Sequence, residues 1–400
     1  MLSLYKNSYS GLSREVWILA LVMLVNRTGA MLMPFLTIIM TEGRGFSLKE
    51  AGFMMSAFGL GSILGSWLGG KLTDRIGFYA VQTWSLVLTS VIFASLAFIN
   101  SLILLTLGMF VLSAVADSFR PANHAAIVIY SKPKNLTRSF GLQRLAFNLG
   151  YAVGPTLGGL LIVRFGYNSI FFMSALGYFI SAILLKALLP RPREEDLRQR
   201  AGKEEAQGER ASGPWQDKSY LRFLFFSLLA ATGFFQLISA IPAFWKMEQS
   251  FSEFEIGLFM GLNGLIIALM EMPLLYLIEY KASKRSFMTG GALLFALSYL
   301  TLIAGFSPAV AAILYISLIS IGEMFFMPFA SSYIGKRAPK SALGQYMGLY
   351  SMSWGIAIVL APTGGLYLAE QWGFEMLWYT SAAVCALAAL GVWGELRIDN

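Results

Sequence analysis

Twelve stretches of this sequence are apolar for long enough to cross a bilayer, and no other feature restricts its fold as much. A crossing helix needs about 20 predominantly apolar residues, and such runs cover 16–40, 51–72, 79–99, 102–130, 139–164, 168–189, 220–248, 255–278, 286–306, 308–335, 341–368 and 374–393. Hydrocarbon offers no water to backbone amides and carbonyls, so runs of this length are helices and not barrel strands. The balance agrees: 56% of the 400 residues are hydrophobic and 13% charged, with a mean hydropathy of +0.64. A soluble core could not enclose that much apolar surface. The expected fold class is therefore all-α integral membrane, with twelve transmembrane helices. Residues 1–15 are mostly polar and the first run already spans, so no cleaved leader is expected. The single cysteine, Cys385, can form no intramolecular disulfide.

The formal net charge of +8 raises the question of nucleic acid, but the placement of the charges answers it differently. With both termini on one side, the loops of that side hold 21 Lys and Arg, and the opposite loops hold four: Arg44, Lys49, Arg164 and Lys246. That is the positive-inside bias. It predicts both termini in the cytoplasm and anionic membrane lipid as the neighbour; a bacterial cytoplasmic (inner) membrane is the expected location.

The chain divides in two. Residues 190–218 are polar and of mixed charge, as linkers are, which gives a bundle over 1–189, a cytoplasmic linker, and a second six-helix bundle over 219–400. A shift of 207 positions carries Pro121 onto Pro328, Pro155 onto Pro362, Thr156 onto Thr363 and Gly158 onto Gly365. Duplicated halves of this kind characterise transporters whose site lies between the repeats.

Between the second and third runs stands Gly70-Lys-Leu-Thr-Asp-Arg-Ile-Gly77, which reads as a short charged turn at a membrane face. The spacing G-x-L-x-D-R-x-G resembles the corresponding loop of major facilitator superfamily transporters. The resemblance implies a conformational latch: Asp74 would cap a helix of the other half and Arg75 would pair with nearby acids, with Gly70 and Gly77 bounding the turn. That family usually continues with basic residues, where Phe78 and Tyr79 stand here. A counterpart in the second half falls near Glu279 and Lys281.

In the fifth run Gly150, Gly154 and Gly158 are spaced four apart and Gly159 follows, a face that lets another helix approach closely. Pro155 removes one helical hydrogen bond and permits a bend. The segment 148–159 resembles the fifth-helix motif of the proton-driven antiporters of the same superfamily.

Ionisable groups inside spans are costly and mark function by default. The sequence has Arg27, Asp117, Arg120, His124, Arg144, Glu271 and Glu323. Arg27, beside Asn26, has the fork geometry to hold a carboxylate. Asp117, Arg120 and His124 follow i, i+3, i+7 spacing and share a helix face; Asp117 with Arg120 also reads as a self-neutralising pair. Glu323, in Gly322-Glu-Met-Phe-Phe-Met-Pro328, resembles the tenth-helix G-E-x-x-x-x-P pattern of multidrug–proton antiporters and of proton-coupled peptide carriers. The expected proton-coupling set is Glu323, Asp117, Glu271 and His124. The expected substrate set is Arg27, Asn26, Arg120, Glu323, Phe234 and Gln236.

The resemblance thus implies a proton-coupled secondary transporter working by alternating access, exporting small amphipathic compounds. The alternative is proton-coupled uptake of zwitterionic or anionic solutes such as short peptides, with a non-transporting receptor or lipid-handling protein as a third class. No nucleotide loop, metal cluster or nucleophile–base arrangement is legible, so neither enzyme activity nor a cofactor is expected. The expected partners are a small-molecule substrate, protons and membrane lipids, for a monomer with no nucleic acid.

Overall fold

The computed structural model describes residues 7–46, 48–191, 213–251, 253–278 and 283–395. Most of the 190–218 linker, together with Glu279 and Lys281, lies outside them.

Among the described residues everything regular is helical: α1 (Arg14–Gly29), α2 (Leu32–Ile38), α3 (Leu48–Ile76), α4 (Phe78–Leu96), α5 (Leu102–Asp117), α6 (Phe119–Tyr130), α7 (Leu136–Phe165), α8 (Ser169–Leu188), α9 (Lys218–Phe235), α10 (Ala240–Met247), α11 (Glu253–Ile278), α12 (Lys284–Thr301), α13 (Pro308–Arg337) and α14 (Leu343–Glu395). Among the described residues, nine helices are long and apolar enough to cross a membrane. One of these, Lys340–Glu395, contains two helices, because Gly373 breaks it with φ 81° and ψ 164°. Only glycine takes that conformation without strain. Large apolar side chains point outward, including Phe98 at 75%, Ile103 at 71% and Leu390 at 69% exposure. Water would not tolerate so much exposed hydrocarbon, and a bilayer does.

The 207-residue repeat is visible in the backbone. A 3-10 turn at Pro133–Asn135 leads into α7, and a 3-10 turn at Lys340–Ala342 leads into α14. Gly166, with φ 78°, ends α7 at the position that Gly373 occupies in the second copy. The helix breaks also have local causes. Pro121 has no N–H for the Asp117 carbonyl, and the span Leu102–Tyr130 divides into α5 and α6 around Ser118. Between α9 and α10, the Gln236 carbonyl accepts from the N–H groups of Ser239, Ala240 and Ile241.

The chain forms two compact units. One holds Gly11–Pro214 and Gly335–Met352; the other holds Met1–Ser10, Trp215–Ile334 and Ser353–Asn400. In the first, glycines set the helix spacing. A Cβ on Gly61 or Gly65 of α3 would overlap the carbonyls of Phe110 and Ala114 on α5. On α7, a Cβ on Gly150 would lie 2.7 Å from the Leu24 carbonyl of α1, and one on Gly154 would lie 3.0 Å from that of Thr28. Pro155 lies within α7. Farther along, Gly158 faces Phe35 and Met31, and Gly159 faces Phe35. In the second unit Gly291 of α12 and Gly322 of α13 meet backbone to backbone: a Cβ on Gly291 would lie 2.7 Å from the Gly322 carbonyl. Close backbone approach of this kind supplies packing where lipid removes the hydrophobic drive between helices.

Candidate functional site

Asp74 has the best-defined polar contacts of the candidate residues. Its Oδ1 accepts from the Gly344 N–H at 2.7 Å and its Oδ2 from the Gln345 N–H at 2.9 Å. These amides open α14, where the first N–H groups lack helical partners and the helix dipole is positive. The approach is close because Gly70 has no side chain: a Cβ there would lie 2.5 Å from the Gly344 carbonyl. Gly348 meets Gly70 in the same way, with a Cβ 2.9 Å from the Gly70 Cα.

The turn expected over 70–77 is instead helix as far as Ile76. Lys71 through Ile76 contains no helix breaker, and the change of direction falls on Gly77 alone, with φ 85°. Arg75 is exposed and makes no ion pair with another described residue, and Lys71 Nζ sits 3.8 Å from the centre of the Trp67 ring.

Arg27 lies in the last turn of α1. Its guanidinium carbon is 4.8 Å from the centre of the Phe147 ring on α7, and its Nε is buried without a hydrogen-bond partner. Asn26 is buried beside it, with Oδ1 also unpartnered. Tyr178, Arg120, Asp117 and Tyr151 lie within Coulombic range of Arg27. Arg120 Nε and Asp117 Oδ1 are 2.9 Å apart across the α5–α6 break. The N–H is not aimed at the carboxylate, so this is an ion pair without a directed hydrogen bond. Two guanidiniums against one carboxylate leave the cluster positive. His124, further along α6, packs edge-on against Phe140 at 5.6 Å with its Nδ1 buried and unpartnered. Beside it, Gln82 Nε2 donates to Asn123 Oδ1 at 3.0 Å.

In the other unit Glu323 is 5% exposed on α13. Asn263 of α11 brings its Nδ2 to 2.8 Å from Ser320 Oγ and 3.5 Å from Glu323 Oε2. Ser320 Oγ in turn donates to the Ile316 carbonyl at 2.6 Å. Asn263 escapes sequence reasoning because an uncharged amide in an apolar run carries no signal of its own. Glu271 is fully buried on α11, two residues before Pro273.

Phe234 is 7% exposed and packs against Phe235, Phe295 and Trp354, at ring separations of 5.4, 5.7 and 6.3 Å. Gln236 is buried, and its Nε2 donates to the Ala361 carbonyl at 3.0 Å. That bond ties the α9–α10 break to α14. Arg44, which no motif singled out, ties the C-terminal end of α4: its guanidinium donates to the carbonyls of Ala97 and Ile99 and to the side chains of Asn100 and Asn168.

The fold and the sequence both match known proteins. The family model described as Major Facilitator Superfamily matches residues 16–280 and 223–397. Over 386 residues the chain is 22% identical to the uncharacterized MFS-type transporter YhjO of Bacillus subtilis (strain 168), covering 92% of this chain and 89% of that one. It is 25% identical over 372 residues to a Na(+), Li(+), K(+)/H(+) antiporter of Planococcus maritimus, covering 84% and 85%. The crystal structure of the human organic anion transporter MFSD10 (TETRAN) superposes with a TM-score of 0.78 at 16% identity, over 95% of this chain and 99% of that one. With both copies of the repeat matched and the helical architecture shared over nearly the whole chain, this multi-pass membrane protein belongs to the Major Facilitator Superfamily of transporters.

Proposed function

We propose that the protein is a proton-coupled secondary active transporter that exports small amphipathic organic compounds by alternating access, through twelve membrane helices with both termini in the cytoplasm. The observation that carries the reading is Glu323: a carboxyl midway along an apolar helix, 5% exposed, with the amide of Asn263 close by. A buried carboxylate keeps its charge only with a partner, so a proton and a cationic group compete for it. The aromatic cluster of Phe234, Phe235 and Trp354 in the same unit offers faces to apolar, cationic compounds. The antiporter among the relatives supports coupling to protons. The latch, proton-coupling and substrate roles of the residues above belong to this proposal.

Purified protein in proteoliposomes tests it. With the lumen acidic, lipophilic cations accumulate inside and the lumen turns alkaline as they enter. Uptake that ignores the pH gradient overturns proton coupling.

A second reading is favoured by the excess positive charge around Arg27, which suits an anionic or zwitterionic solute. Arg27→Lys keeps the charge and loses the bidentate fork, so anion transport should fall about tenfold. Undiminished anion flux in that variant leaves Arg27 as a simple counter-charge.

The twelve-helix topology predicts that single cysteines at Ser101 and Lys134 label from opposite sides of the membrane. Labelling from the same side contradicts it.

A further inference from the structure

At the end of the first repeat that holds the linker junction, a cavity of about 480 Å³ opens between the start of α1 and the end of α8. Arg14, Lys186 and Arg191 line it, with Glu15, Tyr79 and Pro190 completing the wall. Three cations thus face one carboxylate, and none of the three makes an ion pair with a described residue. The wall is held in place: Ser13 Oγ donates to the Tyr130 carbonyl at 2.8 Å, Tyr130 Oη donates to the Pro190 carbonyl, and the Arg191 guanidinium lies 5.3 Å from the centre of the Tyr79 ring.

The repeat supplies an internal comparison. A shift of 207 carries Glu15 onto Arg222, Leu188 onto Glu395 and Lys186 onto Trp393. In the second repeat that corner is satisfied internally: Arg222 Nε is 2.7 Å from Glu395 Oε1, and Arg285 stacks 3.5 Å from the centre of the Trp393 ring. In the first repeat a leucine replaces the acid, and among the described residues Glu15 is the one carboxylate that lines the cavity with the three cations.

Below two of the cations, Arg14 and Lys186, runs a stripe of exposed hydrocarbon. Trp17 and Leu21 follow Arg14 at i+3 and i+7, and Ile183 and Phe179 precede Lys186 at the same spacings; all four are exposed. A phosphate-bearing group whose tails continue along these stripes satisfies both features. A soluble anion satisfies only the first.

We propose that this corner is a binding site for an anionic phospholipid, whose phosphate sits among Arg14, Lys186 and Arg191 and whose acyl chains lie along α1 and α8. Basic pockets at the cytoplasmic ends of membrane helices bind such headgroups, each cation strengthening binding about fivefold.

The test uses the purified full chain in a neutral detergent, with native mass spectrometry and thermal shift as readouts. The probes are phosphatidylglycerol, cardiolipin, phosphatidylcholine and inorganic phosphate. Phosphatidylglycerol or cardiolipin should remain bound and raise Tm, where phosphatidylcholine and phosphate do not. The double variant K186Q/R191Q removes two exposed cations and should weaken the anionic lipid about thirtyfold. The variant L188E places a second carboxylate among the three cations and should weaken the anionic lipid without removing any of them. Anionic lipid held equally by wild type, K186Q/R191Q and L188E overturns the proposal. Equal retention of phosphatidylcholine does so too, and stabilisation by inorganic phosphate that matches the lipid assigns the site to a soluble anion instead.

Discussion

Glu323→Gln should abolish accumulation against a gradient while leaving exchange of substrate across the membrane measurable. Glutamine fills the same volume and can still accept from Asn263, so α11 and α13 should remain packed as they are. What disappears is the ability to take up and release a proton. A pH difference of one unit supports about tenfold accumulation for each proton coupled, and the variant should bring that ratio to unity. Counterflow of labelled substrate against unlabelled substrate requires only binding and the conformational cycle, and it should continue. Two results would be informative in the other direction. A variant that still accumulates substrate places the coupling elsewhere, with Asp117 and Glu271 the next groups to replace. A variant that loses counterflow as well makes Glu323 a substrate ligand first.

Asp74→Asn should slow turnover about tenfold or more with substrate affinity within about threefold of wild type. The carboxylate accepts from two amides at the start of α14, and hydrogen bonds to a charged acceptor contribute about 1.5–3 kcal/mol. Asparagine keeps one acceptor and presents an NH2 group to the other amide. The state in which this cap is made is then depopulated about ten- to a hundredfold relative to any state in which it is broken. Gly344→Ala offers an independent route to the same outcome, since a Cβ there would lie 2.6 Å from the Gly70 carbonyl and 2.7 Å from Asp74 Oδ1. Wild-type turnover in both variants would remove Asp74 from the conformational cycle.

Much of the architecture is written in local pattern, which is why it can be read from the chain. Membrane length and the ban on unpaired backbone groups leave helices as the solution, and the shift that aligns Pro121 with Pro328 also aligns Gly166 with Gly373. The span ends are less legible. The charged segment at 70–77 has the composition of a loop, yet its hydrogen bonds continue to Ile76 and only the glycine with positive φ turns the chain.

The polar partners are the least legible part of the site. Arg27, Asp117, Arg120 and Glu323 announce themselves by carrying charge in apolar runs. Asn263 and Phe147, which meet Glu323 and Arg27, belong to helices far away in sequence and look like any other residue of their spans. Gln236 stands out as a polar residue in its run, but nothing in the sequence shows that its amide ties the α9–α10 break to α14.

The meeting of Gly291 with Gly322 bears on how the acid next to it is aimed. At Gly291 and Gly322 the backbones of α12 and α13 meet directly, so the rotation of α13 about its own axis, and with it the direction in which Glu323 faces, depends on the absence of two methyl groups. Neither glycine titrates or binds anything. A methyl gained at either position would push the helices apart and swing Glu323 away from Asn263, so the aim of this carboxyl depends on two residues that have no side chain of their own.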